Sequence, residues 1–148
     1  MEIFKKAGSK DRLFEMMGRV NNINEEFLKE KERENLINIF IQYVLDFLKI
    51  TDEKPNIVMS HDKKEAANMK SFGKYVPAND EIRVVVSNRN LADILRTLAH
   101  EMVHFKQRIE NKITYDSNKD GSEVENEANA LAAVIMREFG KKYTKIFE

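Results

Sequence analysis

At 148 residues, with 42% hydrophobic and 34% charged positions, the chain is long enough to bury one core and too short to divide comfortably into two. Its 25 basic residues are matched by 25 acidic ones, so no overall field draws it to nucleic acid or to an anionic membrane. It has no cysteine, which excludes a disulfide framework and any thiolate-held metal; a metal would have to sit on histidine and carboxylate.

Residues 1–22 read as a charged leader in which Leu13, Phe14 and Met17 can share one helical face as a docking segment, and residues 23–148 as one α+β domain. The basic residues Lys5, Lys6, Lys10 and Arg12, and later Lys141, Lys142 and Lys145, are read as solvated termini. The stretch MEIFKKAGSKDRLF has no apolar targeting core, and no apolar run nears the roughly 18 residues of a membrane span. The expected location is therefore cytoplasmic, or a virion if the gene is phage-borne.

From Asn24 to Ile50 the spacing of Leu36, Phe40, Tyr43, Val44 and Phe47 predicts a long helix, broken by Asp52 to Pro55 because proline lacks an amide donor. Ile57, Val58 and Met59 predict a short strand. The run SFGKYVPANDEIRVVVS predicts a hairpin around Pro77 to Asp80, with Ile82, Val84 and Val86 on one face. Asn90 is the expected cap of a helix to about Asn111, with Asp93 in its first turn. Leu91, Leu95, Leu98, Met102 and Phe105 form its core stripe. After the loop KITYDSNKDG, Ser122 and Glu125 form an expected capping box for a last helix through Phe139, burying Val124, Ala128, Leu131, Ile135 and Phe139.

The chemistry concentrates in the helix that opens at Asn90. Two of three histidines, His100 and His104, are four residues apart, which places both imidazoles on one face, one turn apart, where they can reach one ion. Glu101 lies about 100° round the helix, placed to approach a water beside that ion without ligating it. Thr97, His100, Glu101, His104 and Arg108 make a polar strip opposite the apolar stripe; the alternative is a polar surface with chance histidines. A catalytic zinc needs a third protein ligand. The expected one is Glu127, an acid at the edge of an apolar face whose burial a metal would offset, with Glu123 in reserve. A salt bridge is the competing role for Glu127. His61 and Tyr115 are candidate donors to a reaction intermediate, against readings as a surface histidine and a packing anchor.

The stretch TLAHEMVHFKQ followed by EVENEANALAAVIM resembles short zincins of the gluzincin type, in which a second helix supplies a glutamate ligand. The Asn126-Glu127-Ala128 segment is similar to the ligand segment of thermolysin-like enzymes, the E-x-E-A-N run to peptidases of the ImmA/IrrE type, and LAHEMVHFKQ to SprT-like and phage-encoded short zincins. The similarity covers roughly residues 72–139. It implies a zincin-like domain with zinc on His100, His104 and Glu127, Glu101 as general base, and an edge strand along which an extended peptide lies. The acidic residue often found one turn after the glutamate ligand is replaced by Leu131, so the groups that support the histidines are unassigned. The implied activity is peptide-bond hydrolysis on a peptide or protein substrate, zinc lowering the pKa of its water to about 7 while Glu101 accepts the proton. The alternative is a non-catalytic zinc-stabilised structural or interaction protein. A DNA-linked protease of the SprT kind would need a basic surface or a DNA-binding appendage, and this neutral sequence gives no sign of either.

Overall fold

The computed structural model describes residues 10–113 and 122–147, with side chains from Glu25 onward. The chain divides into two compact units, Met1–Leu36 and Ile37–Glu148. Among the described residues the first unit is helical throughout. One helix, α1 (Lys10–Phe47), runs without a break through the boundary expected near residue 22. Both prolines lie beyond it, and the lone Gly18 within it costs only about 1 kcal/mol, too little to end a helix.

Helix α1 stops before Asp52. Lys49 takes a left-handed conformation (φ 58°), its amide bonds to the Asp46 carbonyl at 3.1 Å, and the Ile50 amide reaches the Leu45 carbonyl at 2.9 Å. This is a Schellman turn, so the helix is finished by its own backbone and not by Pro55.

The second unit is an α+β domain. Strand β1 (Asn56–Ser60) is followed by a short helix α2 (Glu65–Met69), then β2 (Gly73–Val76), β3 (Glu81–Val85), helix α3 (Leu91–Ile109), helix α4 (Glu123–Lys142) and a 3-10 turn at Thr144–Phe147. The strands form a mixed sheet in the order β1-β3-β2, parallel between β1 and β3 and antiparallel in the expected hairpin. Strand β2 is thus an edge. Ile82, Val84 and Tyr75 are buried on the side that meets α3, where the Tyr75 and Phe105 rings lie 6.2 Å apart. Burial pushes the Tyr75 phenol up, helped by its hydrogen bond to Asp80 at 2.6 Å.

Helix α3 is capped as expected, with the Asn90 side chain accepting from the Asp93 amide at 2.9 Å. Its stripe Leu95, Leu98, Met102 and Phe105 is fully buried, and a second Schellman-type end at Asn111 (φ 59°) closes it. Helix α4 packs along α3. Its buried residues are Ala128, Ala132, Ile135, Met136, Phe139 and Gly140; Ala128, Ile135 and Phe139 are buried as expected, while Val124 and Leu131 are half-buried. Phe139 meets the rings of Phe40 (4.9 Å) and Tyr43 (5.2 Å), which anchors the second half of α1. Among the described residues no helix is long and apolar enough to cross a membrane.

Candidate metal centre

His100 and His104 stand one turn apart on α3, with their Nε2 atoms 3.1 Å apart and their rings nearly perpendicular. The carboxylate that meets them belongs to Glu125 on the first turn of α4, with one oxygen 2.8 Å from His100 Nε2 and the other 3.2 Å from His104 Nε2. Among the described residues this is the one group of three side chains that could hold a metal ion. Tetrahedral zinc, with bonds of about 2.0–2.2 Å, holds its ligand atoms about 3.3 Å apart. Here the two Nε2 atoms are 3.1 Å apart and lie 2.8 and 3.2 Å from the two different oxygens of Glu125, somewhat shorter than that value.

Glu127, the expected ligand, points elsewhere. It accepts from Gln107 Nε2 at 2.9 Å and pairs with Lys112 at 3.3 Å, and these donors, Gln107 foremost, hold its carboxyl below the ordinary range. Glu123, the reserve, is exposed. The reason is helical phase. Glu125 precedes the buried Ala128 and Ala132 by three and seven residues, so it shares their face, whereas Glu127 is about 200° away from Glu125. The Ser122 hydroxyl does accept from the Glu125 amide, at 3.3 Å, as a capping box requires, but the Glu125 side chain turns to the histidines and not back to the cap.

Gln107 organises His104 from behind. Fully buried, it donates through Nε2 to the Val124 carbonyl at 2.8 Å and to Glu127, so both amide protons are committed. Its Oε1 therefore faces His104 Nδ1 at 2.7 Å, and Nδ1 must be the donor. The opposite amide orientation would set an oxygen against two acceptors. When the ring is neutral, a proton on Nδ1 leaves the lone pair of Nε2 facing His100 and Glu125. Several acceptor atoms then converge on one point. A proton can bridge one pair of them; a cation engages all three side chains at once.

The centre opens onto a cleft of about 460 Å³ between β2 and α3, lined also by Glu101, Thr97 and Asn129. Glu101 is 8% exposed and His104 1%, far more sheltered than a polar surface strip. Arg108, expected on that strip, instead pairs with Glu53 (2.6 Å) and Asp80 (2.8 Å). Gly73 lets β2 approach: a Cβ there would overlap the Thr97 methyl and lie 3.3 Å from Glu101 Cγ. Thr97 cannot turn aside, because its hydroxyl accepts from Arg89 at 2.7 Å and donates to the Asp93 carbonyl at 3.0 Å.

His61 follows β1, at the sheet edge away from β2, is exposed, and is not part of the cleft lining. Tyr115 lies outside the described residues. One turn beyond Glu125 stands Asn129, a polar cleft residue, where one turn beyond Glu127 stands Leu131. The chain matches no protein-family model, no curated protein and no solved structure.

Proposed function

We propose that this chain is a zinc-dependent metallopeptidase, a small zincin-like domain that hydrolyses peptide bonds with His100, His104 and Glu125 as ligands and Glu101 as general base. The observation that carries the reading is the convergence of two imidazole Nε2 atoms and one carboxylate at spacings of 2.8–3.2 Å, with the tautomer of His104 fixed by Gln107. Three ligands in an open cleft leave a position free, as a catalytic site requires and a closed structural site does not.

A zinc ion held there would supply Lewis acidity toward a carbonyl and make a water acidic enough to ionise near neutral pH. The rest is the work of the chain. Glu101, sheltered beside Gly73, takes the proton of the attacking water and returns it to the amine that leaves. Along the edge of β2, the Val85 amide bonds to the Phe72 carbonyl at 2.8 Å, and antiparallel alternation then turns the backbone groups of Gly73 and Tyr75 outward. An extended peptide can pair with that edge and lie across the cleft.

Glu101→Gln tests the assignment. The variant is expected to keep stoichiometric zinc and to lose cleavage of peptides that the wild type cuts; undiminished proteolysis refutes it. A second reading, a non-catalytic zinc clamp, draws on the ligands coming from two helices, α3 and α4. It predicts that a chelator melts the fold while no peptide library is cut.

A further inference from the structure

Six large apolar side chains are exposed among the described residues, and Phe72, 52% exposed, is the one that lines the cleft. Its ring is held from behind. The Arg89 guanidinium carbon lies 4.3 Å from the ring centroid. That guanidinium is itself fixed by bonds to the Val85 carbonyl (2.9 Å), the Asp93 carbonyl (3.1 Å) and the Thr97 hydroxyl (2.7 Å). The Phe72 carbonyl accepts from the Val85 amide, so the backbone is pinned as well. The next residue, Gly73, is the one against which Glu101 packs.

A rigid aromatic face, left in water beside the glycine that packs against Glu101, loses little conformational freedom when something covers it. Among the cations near the ring, Arg89 sits beneath it with hydrogen bonds to three protein oxygens and Arg96 is paired with Asp93 at 3.2 Å, while the exposed Lys74 also lines the cleft. From this geometry we infer that Phe72 is the wall of an apolar subsite, selecting peptide substrates that carry an aromatic or branched aliphatic side chain beside the bond that is cut. The inference rests on the metallopeptidase reading.

The test is a peptide series varied at a single position next to the scissile bond through Phe, Leu, Ala and Asp, cut by the zinc-loaded wild type, Phe72→Ala and Phe72→Trp, each checked for zinc content. The wild type is expected to prefer Phe and Leu to Asp by about tenfold or more in kcat/KM, the scale of discrimination available to an apolar pocket. Phe72→Ala should lose most of that ratio and Phe72→Trp should keep it. A wild type indifferent to the position, or a Phe72→Ala enzyme with the full ratio, overturns the subsite and leaves the peptidase reading standing. Failure of the wild type to cut any member of the series or of a random library overturns both.

Discussion

Gln107→Met removes the amide that orients His104 and keeps a chain of similar length. His104 is only 1% exposed, so water cannot easily replace the lost acceptor at Nδ1, and the ring becomes free to carry its proton on Nε2 instead. Metal binding must then reverse that choice. Loss of such an outer partner typically costs 10–100-fold in metal affinity, about 1.4–2.8 kcal/mol at tenfold per 1.4 kcal/mol. The metal-free fold should also lose about 1–3 kcal/mol, because the Val124 carbonyl and the His104 ring each lose a buried partner. Competition against a chromophoric chelator at fixed pH reads the first quantity, and urea unfolding of the metal-free protein reads the second. Zinc affinity unchanged within about twofold, against the tenfold minimum expected, would refute the argument that Gln107 sets the tautomer.

Glu125→Ala should weaken zinc by more than the roughly 100-fold ceiling of an outer-sphere loss, while Glu127→Ala, which removes one partner of Gln107, should cost no more than about tenfold; the reverse order in a chelator titration would return the ligand role to Glu127. Gly73→Ala should destabilise by about 1–3 kcal/mol through overlap with the locked Thr97 methyl, and Thr97→Ser in the same chain should recover part of it, as denaturant midpoints will show. Glu65, away from the site, is held below its ordinary value of 4.5, first by its bond to Arg83 and then by Ser60. A depressed carboxyl stabilises the fold above its unfolded pKa and ceases to do so as pH falls through the folded one, so the stability gap between wild type and Glu65→Gln should narrow below pH 4.5. A gap that stays constant through that range contradicts the assignment.

The histidine pair and its helix were legible because they depend on local spacing: His100 and His104 are one turn apart in any α-helix, and the Asn90 cap and apolar stripe fix that helix. The hairpin was legible for the same reason. The carboxylate that meets the histidines was not, because its identity depends on how α4 is rotated against α3. That rotation is set by Ala128 and Ala132, small residues that permit close approach but carry a weak hydropathy signal. The capping pattern of Ser122 and Glu125 also gave Glu125 a complete local explanation, which concealed its second role. Gln107 did leave a sign, three residues after His104 and on its face, but only the turn of α4 beginning at Glu123 supplies the carbonyl and carboxylate that commit its amide. The ends of α1 and α3 were blurred because Lys49 and Asn111, not glycines, take the left-handed position.

Crystals grown with zinc and measured on both sides of its absorption edge test the central claim most directly. An anomalous peak is expected within about 2.0–2.2 Å of His100 Nε2, His104 Nε2 and a Glu125 oxygen together. Absence of a peak there, or one bound by Glu127 in place of Glu125, would contradict the account.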